Sequence, residues 1–245
     1  MIPYRVAILT DLHVDDKDKM NFGIDAKSNL LLMLQDIKKH RIHHLIITGD
    51  LCNMDPKISI YKWIKEQLDN YSFNYNIIPG NHDNFLMIKE VFGNREPYYS
   101  LVEWGRKVLF LNTADNTLPT EQLNWLKDEL KECKKETIIF MHHPPTLLNC
   151  KMMDSKYPLL NIEETQKIFN EINKELIIFC GHYHDEIYFK YKNQEIFVTP
   201  SNIFQIDEKT KDFNIKTYNP GWRFVEFQKD KVNTQVFFIN LEREK

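Results

Sequence analysis

Short apolar runs rich in β-branched residues recur along the chain, at residues 4–9 (YRVAIL), 44–48 (HLIIT), 75–78 (YNII), 137–141 (TIIFM) and 175–179 (ELIIF). Each is four to six residues long and almost continuously apolar, the pattern of a strand covered on both faces. Between them lie segments with apolar residues at three- and four-residue spacing, near 25–40, 58–70, 85–92, 120–133 and 163–173, which predict helices. TEQLNWLKDEL falls in one of them, and its start offers Thr120 as a cap and Glu121 in an acidic first turn. Strand, loop, helix and next strand in rotation predict an α/β fold. Three further stretches, 98–112, 186–200 and 221–239, alternate as hairpins with turns at Trp104-Gly105, Asn193 and Asp230, and predict an added antiparallel portion forming a second sheet. No repeat or linker-like tract divides the chain, so a single domain over residues 1–245 is expected.

A second regularity lies just beyond the end of each run. The five apolar runs open onto Asp11-Leu-His13, Gly49-Asp50, Gly80-Asn81-His82-Asp83, His142-His143-Pro144 and Gly181-His182-Tyr183-His184. In open α/β sheets, ligands bind beyond the carboxyl ends of the strands. Packing alone gives no reason to place histidine and carboxylate at the mouth of every central strand. Gly49, Gly80 and Gly181 each precede a cluster, where glycine lets the backbone turn sharply or approach a ligand closely.

Asp and Asn oxygens with His nitrogens are ligands for Mn, Fe, Co, Ni or Zn, and the lack of cysteine among them argues against a structural zinc site. Asp11, His13, Asp50, Asn81, His142, His182 and His184 are the candidates, too many for one ion that keeps a position open to substrate. If one carboxylate bridges, the set supplies four bonds to each of two ions. Two ions roughly 3.5 to 4 Å apart suit displacement at phosphorus, because together they clamp the attacking and leaving oxygens.

Net charge modifies this picture little. With 32 Lys and Arg against 35 Asp and Glu, the chain carries −3 and lacks the basic stripe of a protein that grips long nucleic acid. Residues 1–9 lack signal-peptide character and no apolar run approaches a bilayer span, so a cytoplasmic protein without a membrane partner is expected. The four cysteines, Cys52, Cys133, Cys150 and Cys180, have no paired spacing and read as reduced thiols.

The ordered set TDLH, GDL, GNHD, MHHPP and GHYH resembles the calcineurin-like metallophosphoesterase superfamily, across Asp11 to His184. LPTEQLNWLKDEL before the MHHPP strand, with VTPSNIFQ and NPGWRFVEF near the end, is most similar to bacterial class III cyclic nucleotide phosphodiesterases. The resemblance implies a four-layer α-β-β-α sandwich and two transition-metal ions (Mn, Fe, Zn or Co) at the strand ends. It assigns Asp11, His13 and His184 to one ion, Asn81, His142 and His182 to the other, and Asp50 to the bridge. It further implies hydrolysis of a small-molecule phosphodiester, a 3',5'-cyclic nucleotide before a nucleotide sugar, glycerophosphodiester or phosphomonoester, with a non-catalytic scaffold as the third reading.

Within that reading, His82 is expected to protonate the leaving oxygen or steady the phosphoryl group, and Asp83 to accept a hydrogen bond from a histidine. His143 either lines the cleft or braces its loop. Segment 146–161 is either a lid or a packed loop, and Tyr183 and Phe85 are candidates for stacking on a base. A homodimer is compatible with the sequence.

Overall fold

The structure, a computed structural model, describes residues 3–16, 23–93, 96–133, 136–229 and 231–241. The first half runs β1 (Tyr4–Leu9), α1 (Ala26–Lys38), β2 (His44–Ile47), α2 (Ile58–Asn70), β3 (Asn74–Ile77), α3 (Phe85–Phe92), β4 (Tyr99–Glu103), β5 (Arg106–Phe110) and α4 (Thr120–Lys131). There follow β6 (Thr137–Phe140), α5 (Lys151–Lys156), α6 (Ile162–Glu171), β7 (Leu176–Cys180), β8 (Ile187–Tyr191) and β9 (Gln194–Val198). The last four strands are β10 (Gln205–Ile206), β11 (Ile215–Thr217), β12 (Gly221–Phe227) and β13 (Val232–Phe238).

Two large sheets form, in the orders β13-β12-β1-β2-β3 and β4-β5-β6-β7-β9-β8. The five apolar runs do not share one sheet. β1, β2 and β3 pair in parallel in the first, and β6 and β7 pair in parallel with each other, with β5 and with β9 in the second. Nor do the three hairpins make a sheet of their own. β12-β13 extends the first sheet antiparallel to β1, while β4-β5 and β8-β9 flank the second. The parallel centre of each sheet is buried on both faces, and the alternating hairpins cap the edges, where one face can meet water. The expected turn residues Trp104-Gly105 and Asn193 lie in their hairpin turns; Asp230 lies outside the described residues.

Side-chain alternation sorts the core into three slabs. On β1, Val6 and Ile8 face the other sheet with Ile46, Phe110, Ile138, Phe140 and Phe179. Ala7 and Leu9, on the opposite face, meet Leu30, Met33 and Leu34 of α1 and Ile64 and Leu68 of α2. The second sheet's outer face, including Leu109, Ile139 and Ile178, is covered by Leu126 and Leu130 of α4 and Phe169 of α6. The result is the four-layer α-β-β-α sandwich. Every strand of the second sheet contributes one ring to an in-register ladder: Tyr99, Phe110, Phe140, Phe179, Phe197 and Tyr188, with centroids 4.6, 5.2, 5.5, 5.4 and 5.1 Å apart in that order.

The helix ends follow local chemistry. Asp25 caps α1 by accepting the Ser28 N–H at 2.9 Å, and Asn84 caps α3 through Met87. Thr120 is not a cap: the Pro119 carbonyl already accepts the Leu123 N–H at 2.9 Å, which makes Pro119 the cap position and Thr120 the first helical residue. Segment 146–161 is packed: Leu148, Met152, Met153 and Leu159 are buried, and its middle forms the short helix α5, which the sequence pattern did not reveal. All four cysteines are free and buried. Among the described residues, no helix is long and apolar enough to cross a membrane.

Candidate metal centre

β1, β2, β6 and β7 all end on the same side of the two sheets, and the residues after them fold over the edge. Gly80 and Gly181 are required there by space. A Cβ at Gly80 would overlap the Asp50 carboxylate, and one at Gly181 would overlap Thr10 Oγ1 and come within 2.8 Å of Asp11 Oδ2. Five of the seven candidate ligands have left-handed backbone: Asp11 (φ 50°), His13 (44°), Asp50 (52°), His182 (67°) and His184 (48°). Such conformations cost an L-residue on the order of 1 kcal/mol or more and persist where the surroundings over-determine them. Here backbone bonds between the loops do so: the Asp11 N–H donates to the Gly49 carbonyl at 3.0 Å, the His13 N–H to the Asp50 carbonyl at 2.9 Å and the Gly181 N–H to the His142 carbonyl at 3.0 Å.

The side chains converge. Asp11, His13 and His184 form one group, and Asp50, His142 and His182 another, each with its donor atoms within 4.8 Å of one another. Asp50 stands between them: its Oδ2 lies 3.3 Å from His142 Nε2 and 3.7 Å from His13 Nε2. Asn81 Oδ1 lies 3.1 Å from His142 Nε2, so its oxygen belongs to the second group. Asp11, His13, Asp50, His142, His182 and His184 are all buried.

Ring tautomers follow from the partners. His142 Nδ1 is 2.8 Å from the Thr48 carbonyl and His182 Nε2 is 2.9 Å from the Tyr157 carbonyl, so each must be an N–H donor. When the rings are neutral, the other nitrogen of each, His142 Nε2 and His182 Nδ1, carries a lone pair. Carbonyl contacts of this kind fix the tautomer and orientation of metal-ligating histidines. His13 Nε2 and His184 Nε2 face each other at 3.0 Å, and His184 Nε2 is 3.3 Å from Asp11 Oδ1.

Charge points the same way. Among the described ion pairs, Asp11 and Asp50 meet only histidines, with no Lys or Arg. Burial would raise the Asp11 carboxyl, but His184 and His142 beside it hold it down at about 2; Asp50 is likewise held well below the usual range against its burial, by His142 and His13. Burial pushes His13 down to about 3 and, with His142 nearby, His182 down to about 4, so both imidazoles are neutral, the form that binds metal. Burial also disfavours charge on His142, yet Asp50 and Asp11 raise it to about 9: the two carboxylates favour positive charge at His142 Nε2, the position a cation would take in place of that proton. Two buried carboxylates without a lysine or arginine, facing converging imidazole lone pairs, fit a pair of cations.

His82 lies at the rim. Its Nδ1–H donates to the Asn53 carbonyl at 2.6 Å, its backbone N–H donates to Asp50 Oδ1 at 2.9 Å, and its Nε2 stands 3.9 Å from Asp50 Oδ2. Asp83 departs from expectation. Its carboxylate takes no histidine; it accepts the N–H groups of Gly80, Leu51 and Cys52 at 2.9 to 3.2 Å and the Tyr61 hydroxyl at 3.1 Å. A carboxylate three residues beyond Gly80 reaches back under its own loop, so Asp83 clamps the β2 and β3 loops together instead of orienting a ring. His143 braces: fully buried, it is held by Thr113 at Nδ1 (2.9 Å) and Asn116 at Nε2 (2.8 Å), 4.0 Å from the His182 ring.

Tyr183 is packed, with its hydroxyl donating to Asp154 at 2.8 Å, and neither it nor Phe85 is among the residues lining the cleft over the cluster. Sequence reasoning missed the carbonyls of Thr48, Asn53 and Tyr157, which any residue could supply, and Asn202, whose Nδ2 donates to the Leu12 carbonyl at 2.7 Å.

That cleft has a volume of about 340 Å³ and runs from His13, Asp50, Asn81, His82, His182 and His184 to an apolar end. None of its described lining residues is Lys or Arg.

A family model described as calcineurin-like phosphoesterase matches residues 4–186. The chain is 32% identical over 242 residues to a Fibrobacter succinogenes protein named a probable cyclic nucleotide phosphodiesterase, covering 96% of this chain and 94% of that one. It is 23% identical to 3',5'-cyclic adenosine monophosphate phosphodiesterase CpdA of Escherichia coli K12, over 92% of this chain and 86% of that one. Among solved structures, a dimetal phosphatase from Danio rerio matches with a TM-score of 0.67 at 12% identity, over 96% of this chain and 98% of that one. Purple acid phosphatase from yellow lupin matches with a TM-score of 0.66 at 15% identity, over 92% of this chain and 49% of that one. At these identities the two structures show likeness of fold.

Proposed function

The chain belongs to the calcineurin-like phosphoesterase family, and from that premise we propose that it hydrolyses 3',5'-cyclic nucleotides to nucleoside 5'-monophosphates at the strand-end cluster. The observation that carries this reading is the cleft: one end gathers carboxylate and imidazole donors, the other is apolar, and no described lining residue is a cation that would pair with a second phosphate. A cyclic nucleotide brings one negative charge and one flat aromatic base. The names of the relatives, which match nearly the whole chain, agree with it.

Asp11, His13 and His184 would hold one cation, Asn81, His142 and His182 the other, with Asp50 shared. When bound, such a pair polarises the phosphoryl oxygens and lowers the pKa of water toward about 7, which makes hydroxide available at neutral pH. Asn81 contributes a neutral oxygen, which limits negative charge where an anionic phosphate must approach. His82 Nε2 gives its proton to the departing ribose oxygen, while the Nδ1–H bond to the Asn53 carbonyl fixes the ring plane and remains in place as the proton leaves. Asp83 holds the backbone of Gly80, and so the position of Asn81 and His82, without touching substrate.

The test is a panel of phosphodiesters with manganese-reconstituted protein. Cyclic AMP should be turned over with a higher kcat/KM than bis-p-nitrophenyl phosphate. A generic diester outranking every cyclic nucleotide would contradict the assignment, and no hydrolysis with any divalent cation would favour a scaffold.

A further inference from the structure

The two groups of candidate ligands are steadied in different ways. In the second group, the Thr48 and Tyr157 carbonyls hold the rings of His142 and His182 directly. In the first, His13 and His184 turn their Nε2 atoms toward each other at 3.0 Å, and their Nδ1 atoms are buried without a hydrogen-bond partner among the described residues. A ligand ring is ordinarily oriented by a bond from its other nitrogen, and a ring without one takes its place from the backbone that carries it.

The segment after β9 fixes that backbone. Ser201, Asn202 and Gln205 are polar and fully buried. Ser201 Oγ–H donates to the Asp11 carbonyl at 3.2 Å, and the Asn202 N–H donates to the same oxygen at 3.3 Å. Asn202 Nδ2 donates to the Leu12 carbonyl at 2.7 Å and to the Ala26 carbonyl at 3.0 Å, and the Ile206 N–H donates to the His184 carbonyl at 2.7 Å. Asp11 and His13, both left-handed, are thus gripped through their N–H groups by the β2 loop, while the carbonyls of Asp11 and Leu12 are held by this segment. Gln205 stiffens the grip: its Oε1 accepts the Ser201 N–H and its Nε2 donates to the Ser201 and Asn219 carbonyls, all at 3.0 Å. Among the described hydrogen bonds, none made by residues 201–206 reaches Asp50, Asn81, His142 or His182.

We infer that Asn202, supported by Ser201, is a positioning residue for the cation held by Asp11, His13 and His184, and sets the affinity of that site alone. The inference rests on reading the cluster as a two-cation centre. Asn202 Oδ1 is itself buried and unpaired among the described residues, and such an acceptor offsets part of what the two donor bonds contribute to folding. Truncation of Asn202 should therefore register in metal affinity more than in stability.

The test equilibrates the manganese-loaded full chain against chelator buffers of stepped free manganese and counts bound metal by elemental analysis, without turnover. The native chain should hold two equivalents. Asn202→Ala should weaken one of them by about 10- to 100-fold, the usual effect of removing a group that orients a ligand, and leave the other within about twofold. Ser201→Ala should weaken the same equivalent by about two- to tenfold, the worth of one hydrogen bond, and it carries the test if Asn202→Ala does not fold. Asn81→Ala removes a ligand of the other group, so its combination with Asn202→Ala should leave no equivalent at native affinity. Equal weakening of both equivalents by Asn202→Ala, or of neither, would overturn the inference, as would a double variant that keeps one equivalent at native affinity. In those cases the two native equivalents leave the two-cation reading intact. A native chain that holds fewer than two equivalents contradicts that reading, and the inference with it.

Discussion

The backbone N–H of His182 donates to both oxygens of the Asp11 carboxylate, at 2.9 and 3.2 Å, although the two residues are 171 positions apart. Asp11 follows a strand of the first sheet and His182 a strand of the second, so this pair of contacts, together with His142 Nδ1 on the Thr48 carbonyl, ties the two sheets where donors from both converge. Gly181 makes this approach feasible. Gly181→Ala should therefore force the seam apart, lowering stability by about 1–3 kcal/mol, as overpacking does. For a domain of this size that is a fall of about 2–4 °C per kcal/mol in a thermal melt, and metal content should fall with it. An unchanged melt and full metal loading would show that the two loops are not locked together.

His82 separates acid from ligand. His82→Ala should reduce kcat by about 100- to 10,000-fold, the usual worth of general acid catalysis, while elemental analysis shows metal content as in the native protein. Loss of metal in this variant would place His82 among the ligands, where its Nε2 already stands in a group with His13 and Asp50.

Asp83 should behave as a structural clamp. Asp83→Asn replaces an acceptor of three N–H groups and a hydroxyl by an amide that carries one oxygen, and each buried donor left unpaired costs about 1–3 kcal/mol. Urea unfolding should show that loss directly. Tyr61→Phe, which removes one donor to the same carboxylate and the acceptor of the Asn84 N–H at 2.9 Å, should cost about 1–3 kcal/mol. A variant at Asp83 that keeps full stability and loses only activity would argue for a direct catalytic role.

The aromatic ladder predicts where stability resides. Phe140, fully buried between the Phe110 and Phe179 rings, should cost about 3–5 kcal/mol on truncation to alanine, whereas Tyr188, at the exposed end of the ladder, should cost far less. Denaturant midpoints for the two variants compare them directly.

Strand and helix positions were legible because they rest on local periodicity, and the residues at strand ends were legible because aspartate and histidine have no packing reason to recur there. Sheet membership was not. Whether β7 continues the sheet of β1 or starts another depends on pairing between residues far apart in sequence, and a buried parallel run such as LIIFC carries no mark of its neighbour. The two-residue strand β10 and its partner β11 are too short to show a period, so the ribbon they form was invisible. Asp83 was misread for a related reason: GNHD gives a carboxylate beside a histidine in sequence, but the turn sends the two side chains to different partners, the Asn53 carbonyl for His82 and the backbone of the β2 and β3 loops for Asp83. His143 could be placed only once Thr113 and Asn116 were seen on either side of it.

The most direct measurement is anomalous scattering at the manganese edge from crystals soaked in that ion. Two peaks are expected, roughly 3.5 to 4 Å apart, with an Asp50 carboxylate oxygen reaching both. A single peak, or two peaks with Asp50 turned away, would contradict the shared-carboxylate centre.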